Sequence, residues 1–427
     1  MKRALFFPSY LGRGFGHVGR CLALADELSR QNWKVAMILA GPHAEAVYKA
    51  GYRVFKPWFP TRPRRSKTEP PAYTYILDGS FQVIRDGFVR PWRVRAAVAE
   101  MMYIVRRFRP DVLVGDLSLL TWIVGQRVGL PIVQIIRSIM HPAKSCIIWW
   151  QEPPKGIVSP NIHPVFDPVL SRWNLEPIDR AEDLFRGDLF LVPGIPELEP
   201  LPNDLPNTHY VGALVRKQSP TVVLPQPLDK PDEKPVIYVT LGGGAGPVGN
   251  RHFFQVLNKA LGEMPWSVII STGRKFDPSD LPPAPPNIFY YQWVPGPAVI
   301  QHSDVVIFHG GYGTLMETVR YGVPSIVLPF HSEQESNGRR LEACSAARVL
   351  SPTSATDSMR LVRHRWPYGE FATWIQPVSP WTPEMLREAV SSLLEDPRYR
   401  SGAMSLSSVV SEYGGAAAAV ELIGRLV

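Results

Sequence analysis

Short, continuous apolar runs alternate along this chain with longer segments of helical spacing. In the first half the runs occupy residues 4–8, 34–39, 111–116, 131–136, 189–192 and 209–211. A second series follows at 236–241, 267–271, 287–291, 305–308 and 323–328. Predominantly apolar runs of this length predict strands buried on both faces. Between them, 20–30, 42–50, 117–128, 253–264 and 314–321 repeat apolar residues at helical intervals, and 383–394 and 403–426 do so at the end. The segment 314–321 runs into Gly322 with Pro324 just beyond, a stop signal for a helix. Strand and helix alternating at this interval predict βαβ units and a parallel sheet in each half.

The rhythm breaks at several places. Residues 56–72, KPWFPTRPRRSKTEPPA, are dense in proline and cation and read as a loop. Such a loop is either a solvated connection, a flap over a substrate site or a contact with anionic lipid. Residues 88–108 set Val94, Val98, Met101, Met102 and Val105 against Arg93, Arg95, Arg106 and Arg107. Core packing of that apolar stripe is the simpler reading; a membrane-facing helix requires the stripe to be exposed. Residues 145–154 carry Trp149 and Trp150, which either line an apolar pocket or plug the core. Residues 216–234 hold four prolines and no helical or strand period, the best candidate for a linker. The segment 352–380, with Trp366, Trp374 and many basic residues, reads as an insertion without an assignable role. The expected organisation is a domain over 1–215, a linker over 216–234, a second domain over 235–402 and a C-terminal helix over 403–427 that packs back on the first domain.

Bulk properties narrow the class without naming it. A chain of 427 residues is too long for one comfortable core, and 45% hydrophobic with 20% charged residues is ordinary for a globular protein. A net charge of +8 suits anionic ligands or an anionic surface. Cys21, Cys146 and Cys344 are scattered, with no metal spacing and no disulfide framework, which fits a reducing cytosol. The start passes from Met1 through Lys2 and Arg3 directly into a strand, so no signal peptide is expected. A cytoplasmic protein is therefore expected, with peripheral contact at the inner membrane face left open. No apolar run reaches the roughly 18 residues of a membrane span.

The candidate chemistry lies in two glycine-rich turns. SYLGRGFGHVG places four glycines around His17 in the first half. In the second half TLGGGAGP and HGGYGT follow buried strands and precede helices. Such a turn lets backbone N–H groups approach an anion while a helix N-terminus points at it. A polar stretch, Glu333 to Asn337, lies past the strand that follows. In open α/β sheets ligands bind at that end of the strands, and two such domains joined by a linker place a cleft between their turns. The first half is thus equipped for proton chemistry and the second for holding phosphate and hydroxyls.

At these residues the C-terminal half resembles the UDP-glycosyltransferases of GT-B architecture, two Rossmann-like α/β domains facing across a cleft. The resemblance rests on Trp293-Val294-Pro295, Ile300, His302, His309-Gly310-Gly311-Tyr312-Gly313-Thr314, Glu317, Gly322-Val323-Pro324, Pro329, Glu333-Gln334 and Asn337, in order and with spacing kept. The pattern is also similar to the lipid-linked N-acetylglucosamine transferases of cell-wall synthesis. In the first half Gly16-His17, Pro110-Asp111 and Asp116 resemble the family's general base and its partner.

What the resemblance implies is specific. Trp293 stacks on the nucleobase and Val294 bonds its edge through the backbone. Glu317 accepts the ribose hydroxyls, a task that suits an acceptor-only carboxylate. His309, Gly311, Gly313 and Thr314 hold the diphosphate, with Gly243 and Gly244 approaching from the other side. Glu333 and Gln334 read the sugar. His17 takes the acceptor's proton, and Asp116 orients it. The expected reaction is an inverting, metal-independent transfer of a hexose from a nucleotide sugar, UDP before TDP, to a hydroxyl of an apolar or lipid-like acceptor. No cofactor is expected, nor any nucleic-acid partner.

Departures from the pattern matter too. Gly296 stands where glutamine is common, Glu333 where aspartate is, and Gly243 where a serine is. Val18-Gly19-Arg20 replaces the proline usual after Gly-His, and Arg20 adds a cation expected to face an acidic or phosphorylated acceptor, alongside Trp149 and Trp150 as apolar contacts. Two other classes stay open: a nucleotide-sugar 2-epimerase, which needs carboxylates around the sugar, and a catalytically silent partner protein of the same fold.

Overall fold

A computed structural model gives the fold; it describes all 427 residues except 10–13, 59–70, 144–154, 217–221, 230–232, 243–250, 274–275, 352–358 and 380. The first domain carries strands β1 (Arg3–Pro8), β2 (Lys34–Ile38), β3 (Arg53–Phe55), β4 (Tyr73–Thr74), β5 (Val112–Asp116), β6 (Ile132–Ile135), β7 (Leu189–Val192) and β8 (Thr208–Tyr210). The second carries β9 (Val236–Thr240), β10 (Ser267–Ser271), β11 (Ile288–Tyr291), β12 (Val305–Phe308), β13 (Ser325–Val327), β14 (Ala347–Val349), β15 (Arg360–Trp366) and β16 (Gly369–Gln376). Helices of the first domain are α1 (Gly16–Arg30), α2 (His43–Lys49), α3 (Ser80–Arg85), α4 (Pro91–Phe108), α5 (Thr121–Val128) and α6 (His163–Arg172). Those that follow are α7 (Arg251–Leu261), α8 (Gly296–Gln301), α9 (Tyr312–Tyr321), α10 (Ser332–Ala343), α11 (Pro383–Glu395), α12 (Pro397–Ser411) and α13 (Gly415–Leu426).

Among the described residues two parallel sheets form, in the orders β3-β2-β1-β5-β6-β7-β8 and β11-β10-β9-β12-β13-β14. The architecture is α/β, two Rossmann-like domains of the GT-B type. Both sheets are sandwiched between helices, so their strands are apolar on both faces, as the continuous runs require. Leu5, Phe7 and Leu113 fill one side of the first sheet with α4 and α6, while Ala4, Phe6 and Val114 fill the other with α1. In each sheet the order of the strands reverses beside the first strand of its domain, β1 or β9, and ligand crevices form at such a point.

The chain's last two helices serve different domains. The single helix expected over 403–427 is broken at residues 412–414. Leu406 and Val410 of α12 pack on Leu315 and Val319 of α9 in the second domain. Ala419, Val420 and Ile423 of α13 are fully buried against Val18, Leu22 and Ala25 of α1 in the first. Arg216, at the start of the expected linker, pairs with Asp26 of α1 at 2.7 Å.

The stretch 352–380 is where sequence and structure differ most. Its described part forms the hairpin β15–β16, and β16 pairs antiparallel with β4 of the first domain through Ile375↔Thr74 and Gln376↔Tyr73. On the other side of β4, the Thr74 N–H donates to the Phe330 carbonyl at 2.9 Å, and the Ile76 N–H donates to Ser332 Oγ at 2.9 Å. A short strand of the first domain is therefore held between two pieces of the second. The segment 88–108 also resolves: Val94 and Val98 of α4 are fully buried, so the stripe that a membrane contact required faces the core.

Candidate active site

His17 lies in the first turn of α1, not in a loop as its neighbouring glycines suggest. Its Nδ1 is 2.7 Å from Asp116 Oδ1, at the C-terminal end of β5. Asp116 is fully buried. Burial pushes its carboxyl up, but Arg20 and then His17 outweigh that and hold it below the usual carboxylate range. An acceptor-only carboxylate at this distance requires the proton on Nδ1, which leaves Nε2 with its lone pair.

Arg20 is not where the sequence placed it. Its guanidinium is buried and donates to both oxygens of Asp116, from Nε at 2.8 Å and from Nη2 at 2.7 Å. The cation read as facing an acceptor is spent on the partner of the histidine.

The opposite wall is the turn between β12 and α9. Gly310 has φ +81°, and a Cβ there would lie 2.4 Å from the Gln334 carbonyl oxygen, so only glycine fits. His309 stacks on Phe330 with ring centroids 6.0 Å apart and an interplanar angle of 9°. Gly242 backs onto its ring: a Cβ there would lie 2.6 Å from His309 Cε1. No side chain caps the N-terminus of α9, so the N–H groups that follow Gly311 remain for an anion. Gly313 touches the first domain, because a Cβ on Gly16 would lie 3.8 Å from the Gly313 nitrogen. Thr314 is half-buried beside it.

Glu317 follows on the same helix, half-buried, and burial raises its carboxyl to about 7 with Arg320 opposing. Tyr238 of β9 is near enough for Glu317 to affect its titration. Trp293 is 58% exposed, which removes it from the core, whereas the Val294 side chain is buried. Gly243, Gly244, Trp149 and Trp150 lie outside the described residues.

The polar stretch after β13 is the first turn of α10, not a loop, and acidic residues are favoured at that end of a helix. Glu333 Oε1 accepts from Arg137 Nη1 at 2.6 Å and from Asn337 Nδ2 at 3.2 Å. Burial raises the Glu333 carboxyl, but Arg137 and then His331 dominate and lower it. Gln334 is buried, and its Oε1 accepts from the Phe330 N–H at 2.9 Å, so that oxygen serves its own turn.

Arg137 went unnoticed in the sequence. It follows β6 and reaches across the cleft. Besides Glu333 it donates to Glu199 Oε1 from Nε at 2.8 Å and to Asn337 Oδ1 from Nη2 at 2.7 Å. Its guanidinium lies 3.8 Å from the centroid of the Tyr312 ring. The available signal was its place, just past a buried strand and two residues beyond Ile135, the register partner of Asp116 on the neighbouring strand. A pocket lined by Phe7, Ile38, Phe88, Met101, Leu119 and Leu120 opens at the end of β1 and β5, close in sequence to Asp116. Among the described residues no three His, Cys, Asp or Glu side chains converge as metal ligands do, and no helix is long and apolar enough to cross a membrane.

Comparison with known proteins bears on the fold and the class of enzyme. The family model described as UDP-glucoronosyl and UDP-glucosyl transferase matches residues 157–362. A relative from Methanosarcina mazei, described as an uncharacterized glycosyltransferase, is 25% identical over 97% of this chain and 96% of its own. A PGL/p-HBAD biosynthesis rhamnosyltransferase of Mycobacterium bovis is 28% identical over 63% of this chain and 62% of its own. Among solved structures, the spinosyn rhamnosyltransferase SpnG complexed with thymidine diphosphate superposes with a TM-score of 0.68 at 18% identity, covering 99% of this chain and 100% of that one. Fold and relatives define a glycosyltransferase of GT-B architecture. Within that class, residues 157–362 are similar to the UDP-glucoronosyl and UDP-glucosyl transferase family.

Proposed function

We propose that this enzyme transfers a hexose from a nucleotide diphosphate sugar to a hydroxyl of an apolar or lipid-like acceptor, in a single inverting displacement that needs no metal. The observation that carries the reading is the meeting of two walls: the His17–Asp116 pair stands directly opposite the open N-terminus of α9. The acceptor hydroxyl attacks the anomeric carbon, and its proton passes to Nε2 of His17. The new C–O bond forms as the bond to the diphosphate breaks. Negative charge grows on the leaving group, where the N–H groups of Gly313 and Thr314 and the dipole of α9 stabilise it. Asp116 keeps the imidazole oriented and balances the imidazolium that forms.

The donor is held by Trp293 on the base, Val294 on its edge, Glu317 on the ribose, His309 and Gly311 on the diphosphate, and Glu333 with Gln334 on the sugar. UDP is the first nucleotide to test and TDP the second, the latter because of the SpnG complex. The apolar pocket beside Asp116 supports an acceptor with an apolar body. The test is a transfer assay with UDP- and TDP-hexoses against a panel of hydroxylated apolar acceptors. His17→Ala should lower turnover by roughly 10²–10⁴-fold without loss of donor binding. Undiminished transfer by the variant would remove His17 from the mechanism.

A further inference from the structure

Three residues past His17, on the same face of α1, lies a side chain whose role the reaction above leaves unassigned. Arg20 is 6% exposed and grips both oxygens of the fully buried Asp116. Its Nη2 also stands 2.9 Å from Nδ1 of His17. Three polar groups thus meet at one point: the imidazole nitrogen, one carboxylate oxygen and one guanidinium nitrogen.

The proton inventory of this cluster is closed. Asp116 can only accept, and Arg20 can only donate. Asp116 Oδ1 at 2.7 Å from Nδ1 calls for a hydrogen between them, which the imidazole supplies. Once Nδ1 carries that hydrogen it cannot accept from Arg20, so the Nη2 hydrogens go to the carboxylate. Arg20 also prevents Asp116 from rotating away, because a bidentate grip fixes the plane of the carboxylate. Lysine would keep the charge but not the fork.

Charge points the same way. A bare carboxylate beside an imidazole favours its protonated form. Here the carboxylate is already matched by a guanidinium, and that guanidinium is close to the ring itself. A protonated His17 would set two cations around one carboxylate. The other groups facing the cluster come from three elements: His43 of α2, Glu333 of α10 and Tyr312 of α9, with the buried thiol of Cys21 next to Arg20. Of these, Glu333 carries a full negative charge, and Arg137 already binds it.

We infer that Arg20 is a positioning residue for the base: it locks Asp116, fixes His17 in the tautomer with a free Nε2, and keeps the imidazole uncharged until it receives the acceptor's proton. This rests on the reading of His17 as the base, but its test needs neither donor nor acceptor. The whole protein, labelled with ¹⁵N-histidine, is titrated by NMR, with His17 assigned by comparison with His17→Ala. In Arg20→Gln, which keeps one donor to Asp116 without the charge, the His17 titration midpoint should rise by about one pH unit or more, a tenfold gain in proton affinity. Arg20→Lys should stay within a few tenths of the parent midpoint while losing part of the Nδ1–H signature. An unchanged midpoint in a natively folded Arg20→Gln overturns the inference, as does a parent His17 with its proton on Nε2. Arg20→Lys decides the tautomer question if Arg20→Gln fails to fold. The base reading fails separately, through full transfer by His17→Ala.

Discussion

Glu317 offers a prediction in which stability and function move in opposite directions. Burial lifts its carboxyl from the ordinary 4.5 to about 7, with Arg320 opposing. A carboxyl raised in the folded state binds its proton more tightly there than in the unfolded chain. Below pH 4.5 it is protonated in both states and costs nothing. As pH rises from 4.5 to about 7 the unfolded chain ionises first, and stability falls. Above about 7 the loss is complete. The interval corresponds to roughly 3 kcal/mol, an upper bound for a half-buried group. Glu317→Gln keeps the shape and removes the charge, so it should escape this loss.

The assay is chemical denaturation of parent and Glu317→Gln at pH 5 and pH 8.5. The variant should gain on the parent by about 1–3 kcal/mol between the two conditions. The same substitution should weaken the nucleotide sugar. A hydrogen bond to a charged acceptor contributes about 1.5–3 kcal/mol, or roughly 10–150-fold in affinity. Donor binding should also become tighter as pH rises through about 7, because the ribose hydroxyls need the ionised acceptor. Equal pH dependence of stability in parent and variant would refute the burial argument. Greater stability with unchanged donor affinity would refute the ribose assignment while leaving the burial argument intact.

Two further substitutions probe the contacts between the domains. Arg137→Leu strands the fully buried Glu199 and releases Glu333, so it should destabilise the protein by about 3–5 kcal/mol and raise the donor KM more than it lowers kcat, read by denaturation and by transfer kinetics. Tyr73→Phe removes the hydroxyl that donates to Glu335 Oε2 at 2.5 Å across the β4 clasp. It should cost about 1–3 kcal/mol and increase hydrogen exchange at the Thr74 and Tyr75 amides, which donate to Phe330 and Trp374.

How much of this could be read from the chain depended on the range of each interaction. A buried parallel strand announces itself locally: the run at Val305–Phe308 and the glycine turn after it coincide with β12 and the entry to α9. The hairpin β15–β16 shows no such signal, because β15 has no buried position, β16 buries only Phe371–Thr373 and Gln376, and its edge partner β4 is a two-residue strand in the other domain. Apolar runs cannot report a pairing made by backbone groups some 300 residues apart. The ionic contacts behave similarly. Arg20 read as a cation facing the acceptor because its partner Asp116 lies 96 positions away, and Arg137 drew no reading because its partners lie 62, 196 and 200 positions away. Each of these arginines sits where the chain leaves or enters the cleft side of the first sheet, and each fixes a carboxylate assigned to the reaction. On the proposed reading, the motif residues are the groups that meet substrate. Their geometry is set by two buried arginines outside the motif, one on the base side and one on the sugar side. Substituting either should alter pH dependence or donor preference before it abolishes the fold, since every motif residue would still be present.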